Sequence, residues 1–171
     1  MTHHQRLIYR YLTRCGLKPH AMTIRSSPSG GGSAEGWVRK RFIEEVVAYR
    51  GRQAKAETAL IVVIDADTHT VQQRLNQLDQ ALKDGHKQAI AESEQIARLV
   101  PKRNIETWIL CLNEHTVDEE ADYKQTRNDW GELIPPAAET LFQWTRQEAE
   151  LPSHCIASLW SGIRELNRLT F

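Results

Sequence analysis

The chain has no excess of charge of either sign: 22 Lys and Arg stand against 22 Asp and Glu. A basic coat for polyanions is therefore excluded, and any nucleic-acid contact must use a local patch. Cysteine is scarce. Cys15, Cys111 and Cys155 are scattered, odd in number and without a C-x-x-C pair. That argues against a disulfide framework and for a reducing cytoplasm, with Cys15 and Cys111 as small core residues on apolar faces. No apolar run nears the length that crosses a membrane, and no secretory leader is recognisable, so no membrane partner is expected. No internal repeat is present. His3, His4, His20, His69, His86, His115 and His154 show no metal-ligand spacing and read as surface or capping residues.

What is present points to a layered α/β chain. A length of 171 residues suits one domain with a real core. The most telling stretch is residues 59–67, where a branched aliphatic run enters Asp65-Ala66-Asp67. Such a run reads as a strand buried on both faces. Strand side chains alternate, so Asp65 and Asp67 should project together from its C-terminal end. Ligands of open parallel sheets bind at that end. Converging carboxylates repel unless a cation sits between them, and Mg²⁺ accepts one or two carboxylates plus waters. The competing expectation is an Asp67 that caps the next helix beside an exposed Asp65.

Apolar spacing predicts helices over 4–15, 34–50, 71–82 and 104–112, and strands over 21–25, 59–64 and 95–100. Residues 113–136 read as acidic and irregular. Helices near 137–149 and 153–168 would close the chain. The expected fold is α/β, a mostly parallel sheet covered by helices, with a core over about 4–125 and a helical C-terminal part over about 137–168.

A second constellation is Pro101-Lys102-Arg103-Asn104-Ile105-Glu106-Thr107-Trp108. It follows the last predicted strand and opens a helix. Asn104 suits the N-cap, and Glu106 falls in the first turn, where the helix dipole favours a carboxylate. As a site, Glu106 would be a metal ligand or general base, with Lys102 and Arg103 gripping phosphate. As a plain helix start, it needs no ligand at all. A third feature is the Gly30-Gly31-Gly32-Ser33 loop before a helix carrying Arg39, Lys40 and Arg41. Gly31, Gly32, Ser33, Arg39 and Lys40 form a candidate phosphate cradle, since glycines let backbone amides approach an anion. A flexible loop closed by a Ser33 cap accounts for the same residues. The Walker A and dinucleotide-binding spacings are both absent.

The Asp65-x-Asp67 strand followed by the Asn104-x-Glu106-x-Trp108 helix start resembles the TOPRIM superfamily, and more narrowly the small bacterial OLD-family and RloB-like nucleases. The resemblance spans about residues 4–125 and includes the segments 29–38 and 117–123. It implies Asp65 and Asp67 as Mg²⁺ (or Mn²⁺) ligands and Glu106 as a further site carboxylate. It also implies a nuclease acting on DNA or RNA, beside an ABC-type or AAA ATPase in defence against phage or plasmids. In that family a Glu ends a first strand; here residues 1 and 2 lead almost directly into helix. The expectation is that such a strand precedes Met1, with Glu35 the nearest substitute within the chain. The alternative is a catalytically degenerate binding module or ATPase partner subunit. A receiver-like phosphoacceptor domain, using Lys102, is a third reading that leaves Glu106 and Trp108 unexplained. Homo-oligomerisation stays open.

Overall fold

The computed structural model describes residues 1–28 and 33–171; Gly31 and Gly32 of the expected phosphate cradle lie outside the described residues. Among the described residues the fold is α/β: six α-helices around a two-stranded parallel sheet. Helix α1 spans His3–Arg14. Thr2 starts it, because its side chain accepts from Gln5 N while Gln5 reaches back to the Thr2 amide. This reciprocal arrangement satisfies two amides that have no intrahelical partner. Helix α2 (Ala34–Gln53) starts on Ser33, whose hydroxyl accepts from Gly36 N at 3.1 Å. Strand β1 (Leu60–Val63), helix α3 (Val71–Asp84), strand β2 (Ile96–Leu99) and helix α4 (Ile105–Leu112) follow. Helices α5 (Trp130–Trp144) and α6 (Ala157–Leu166) complete the chain.

The strands pair in parallel with Leu60 opposite Ile96 and Val63 opposite Leu99. The ladder outlasts the regular strands: Ile64 N donates to Leu99 O at 3.0 Å and Ala66 N to Pro101 O at 2.8 Å. Alternation splits the side chains between two core layers. Val62, Ile64 and Ile96 pack with Phe42, Val46, Tyr49, Leu78 and Leu82 of α2 and α3. Ala97 and Leu99 pack with residues of α1, α4, α5 and α6, among them Leu7, Ile105, Trp108, Ile134 and Ile163. Helix α4 is buried all round, as the apolar stretch Trp108–Leu112 requires, and it takes Glu106 and Thr107 inside with it. The outer edge of β2 is closed by α6: Arg98 N donates to Glu165 Oε2 at 2.9 Å. A side chain thus takes the backbone group that an edge strand would offer to another chain.

Three expectations are corrected. Residues 21–25 are not a strand; Pro19–Ala21 form a single 3₁₀ turn and 22–28 are irregular. The segment contains Thr23 and Ile24, but Ile24 is exposed and no strand pairs with it, and β preference without neighbours does not make a strand. Second, α5 begins at Trp130 rather than after Pro136 and ends at Trp144 rather than 149. Proline normally ends a helix by removing an amide and clashing with the carbonyl four residues back. Here the affected carbonyls belong to Gly131 and Glu132, which are exposed, while Trp130, Ile134, Ala137 and Ala138 are buried. Burial of that face outweighs the lost bonds. Third, α6 begins at Ala157 rather than 153, where Glu119 Oε1 accepts from Ser158 N at 2.9 Å.

Cys111 is buried, while Cys15 and Cys155 are half-buried, and all are free thiols. Burial pushes each thiol up, that of Cys155 to about 11, so none is a ready nucleophile at neutral pH.

Helix α6 approaches α4 closely because Gly162 faces the Trp108 ring. A Cβ at 162 would lie 2.3 Å from the Trp108 ring edge. Trp108 is held in place by Nε1, which donates to Ser158 Oγ at 2.9 Å. Gly162→Ala should therefore destabilise the protein by about 1–3 kcal/mol through overpacking. Gly51→Ala, in α2 with open space around it, should be neutral or stabilising by up to about 1 kcal/mol. Urea unfolding measures both; equal midpoints for the two variants would contradict this packing.

Candidate functional site

The ladder between β1 and β2 brings two short connections side by side, Ile64 to Thr70 and Val100 to Asn104. Asp65 and Glu106 stand on or just beyond them, and the first turn of α1 reaches both. His4 Nε2 lies 2.8 Å from Asp65 Oδ1, and His3 Nδ1 lies 2.6 Å from Glu106 Oε1. The histidines are thus not idle surface residues, as their spacing suggested. Both are partly buried and engage the two least exposed acids of the site. The sequence signal was available but indirect. A capping Thr2 with Gln5 places both imidazoles in one helical turn, yet only the tertiary fold tells what that turn meets.

Asp65 and Asp67 do not share one partner. Regular strand ends at Val63, and Asp67 adopts a left-handed backbone with φ 56°. Strand alternation therefore does not carry through the pair. Asp67 is largely exposed and accepts from Arg103 Nη1 at 2.6 Å. It does not cap α3 either; Thr70 does, accepting from Gln73 N at 3.0 Å. A left-handed non-glycine residue is uncommon and clusters at functional sites.

The turn that carries both acids is pinned from beneath by Arg74. Its side chain is 1% exposed. Nε donates to Asp65 O at 3.0 Å and Nη2 to Ala66 O at 3.2 Å, while Nη1 meets Glu35 and Gln77. Glu35 lies in the first turn of α2, directly after the Ser33 cap, and also pairs with Arg39 at 2.9 Å. Arg74 thus joins the start of α2 to the backbone of the Asp65 turn. Lys40 is exposed on the same helix.

The remaining wall comes from the acidic segment before α5. Lys102 Nζ donates to Glu120 at 2.8 Å, and Arg103 also approaches Asp122 at 4.0 Å. Asn104 occupies the N-cap position of α4, but its side chain does not cap; Nδ2 donates to Asp122 Oδ1 at 2.8 Å. Among the buried side-chain atoms without a hydrogen-bond partner in the described residues are Glu106 Oε2 and Asn104 Oδ1 at the start of α4, and His69 Nδ1 on the connection that carries Asp65. Glu106 is 4% exposed. An unsatisfied carboxylate oxygen at that depth is costly unless it meets a proton, a water or a cation.

Oxygen donors of this kind suit a hard divalent cation. No group of three or more His, Cys, Asp or Glu converges as a ready cage among the described residues. A divalent ion here would therefore meet only one or two of these carboxylates at once, with waters completing its shell. Comparison with family models, with curated proteins and with solved structures found no match.

The Arg74 fork makes a stability prediction separate from any chemistry. Arg74→Met keeps the apolar stem and orphans the Asp65 carbonyl, at a cost of roughly 1–3 kcal/mol, while the Ala66 carbonyl keeps its bond from His69 N at 3.0 Å. Glu35→Gln leaves both carbonyl bonds in place and should cost less than Arg74→Met. Thermal unfolding of the two variants checks the order; a larger loss for Glu35→Gln would place the stabilisation in the ion pair instead.

Proposed function

We propose that the chain is a metal-dependent nuclease of TOPRIM type, cleaving DNA or RNA phosphodiesters, with Asp65, Asp67 and Glu106 as its carboxylates. The observation that carries this reading is Glu106 Oε2, a buried carboxylate oxygen with no partner beside the end of a parallel sheet. Support comes from the setting: ligands of α/β folds gather at the C-terminal ends of parallel strands. Asp65, Asp67 and Glu106 would hold Mg²⁺ or Mn²⁺. When bound, such an ion supplies charge that polarises a phosphodiester and stabilises the leaving oxygen.

The residues divide the remaining work. Glu106 Oε2 would steady the ion or a water on it, and His3 Nδ1 on the other oxygen fixes the carboxylate's orientation. Arg103 and Lys102 exchange their bonds to Asp67 and Glu120 for the substrate's phosphate oxygens. Ser33, Arg39 and Lys40, at the start of α2, add a second cationic contact. Arg74 acts through the backbone, holding the Asp65 turn still. An ABC-type or AAA ATPase partner, a defence role and the cytoplasmic setting belong to the same proposal and follow from the resemblance and the free cysteines.

One observation favours a second reading, a catalytically silent binding module. Asp65, Asp67 and Glu106 each already meet a nitrogen of His4, Arg103 or His3. In that reading the protein's own side chains stand where a metal would, and the site is a polar clasp.

Two measurements separate the readings. Mn²⁺ relaxation should show weak binding to the wild type, lost in Asp65→Asn/Asp67→Asn. An assay on plasmid DNA and structured RNA in Mn²⁺ should show cleavage abolished by Asp67→Ala and lowered about 10–100-fold by Glu106→Gln, the range of a weakened hold on the ion. Metal binding unchanged in the double Asp variant would overturn the site. Absence of cleavage together with intact nucleic-acid binding would favour the binding module.

A further inference from the structure

The cations at the sheet's end are engaged by acids: Lys102 by Glu120, Arg103 by Asp67 and Asp122, Arg74 and Arg39 by Glu35. Helix α1 is different. Arg6, Arg10 and Arg14 follow one another at four-residue spacing, and only Arg14 has an acidic partner among the described residues, Glu139 at 2.9 Å. Like charges at that spacing destabilise a helix. The first turn of α1 carries no acidic residue, so the positive end of the helix dipole is not offset either. His3 precedes Arg6 by one turn and touches Glu106. The basic face therefore begins at the candidate site and leads away from it.

A groove of about 510 Å³ runs beside this face, lined by Arg6, Tyr9, Arg10, Arg14, Pro135 and Ala138 together with Met1 and Thr13. Its floor is α5, against which α1 packs: Arg6 lies over Gly131, and the floor at Pro135 and Ala138 is apolar. Tyr9 is half-buried in its wall. Arg6 to Arg14 advances about 12 Å along the helix. One strand of a duplex carries about three to four phosphates over that length, one per roughly 3.4 Å. A groove whose one wall, α1, sets Tyr9 between the unpaired cations Arg6 and Arg10 offers what holds a single strand, cations for the phosphates and a ring for a base.

We propose that the groove between α1 and α5 is the track of a single-stranded nucleic acid entering the candidate site, with Arg6 and Arg10 on its phosphates and Tyr9 stacking a base. This rests on the nucleic-acid reading above and names the substrate form and its path. It also explains why α1 tolerates an uncompensated row of arginines in a chain whose net charge is zero. A strand seated there ends at His3 and Glu106, beside the Asp65 turn.

Fluorescence anisotropy tests this with the full chain, a labelled oligothymidylate and a duplex of equal length, without divalent metal so that cleavage plays no part. The wild type should prefer the single strand. Arg6→Gln/Arg10→Gln should lose at least tenfold in affinity and reduce the slope of log affinity against log salt by about 1.4, two phosphates at about 0.7 each. Arg6→Lys/Arg10→Lys should retain most of that slope. Tyr9→Ala should weaken binding without changing the slope. Arg164→Gln, an exposed cation over Trp160 on α6, should leave binding unchanged. Wild-type binding that survives Arg6→Gln/Arg10→Gln, or that falls equally in Arg164→Gln, would overturn the track while leaving the metal site and nuclease reading to their own assays. Preference for duplex would overturn the single-strand assignment. A wild type that binds neither nucleic acid would overturn both the track and the reading beneath it.

Discussion

The parallel pairing of β1 with β2 is the constraint on which the rest depends. Two strands of four residues each supply little stability alone. They matter because they divide the core into two layers and because their ladder continues through Ile64 and Ala66 to Leu99 and Pro101. That continuation sets the Asp65 turn beside the Val100–Asn104 connection. It fixes where Asp65 and Glu106 stand, and α1 then lays its first turn across both. Parallel sheets need cover on both faces. Here α2 and α3 cover one and α1, α4, α5 and α6 the other. Glu165 ties the end of α6 to the outer edge of β2.

The electrostatics of the site follow from that placement. Asp65, Asp67 and Glu106 do not repel one another freely, because His4, Arg103 and His3 each neutralise or bond one of them. The clasp is nevertheless incomplete, for Glu106 Oε2 and Asn104 Oδ1 remain buried and unpartnered. Rigidity and openness are divided between different residues. Arg74, fully buried and using its guanidinium on two carbonyls and two side chains, holds the backbone. Arg103 and Lys102, bonded to exposed acids, can change partners at low cost, since exposed ion pairs contribute little.

Much of the fold was legible from spacing and caps. The first four helices and both strands follow from apolar periodicity and short branched runs, and Ser33 caps α2 as read, whereas Thr2 and Thr70 are caps that the structure adds and the Asn104 side chain does not cap. What was not legible depended on tertiary burial. Trp130 and Ile134 drive a helix through Pro135 and Pro136 against local preference, and Ile24 finds no strand to join. The site was legible in its acids and less so in its bases. Asp65 and Glu106 follow two strands that pair in parallel, but alternation failed at Asp67, where φ turns positive. His3, His4, Arg74 and Asp122 enter through contacts far apart in sequence, with no local pattern to announce them.

The unpartnered Glu106 oxygen and the Asp65 turn are proposed as a divalent-cation site. Its most direct test is anomalous scattering from crystals soaked in Mn²⁺. A single strong peak is expected in coordinating contact with Glu106 and an oxygen of Asp65 or Asp67, with His4 turned away from Asp65. A map in which Mn²⁺ binds elsewhere, while both imidazoles keep their carboxylates, would contradict it.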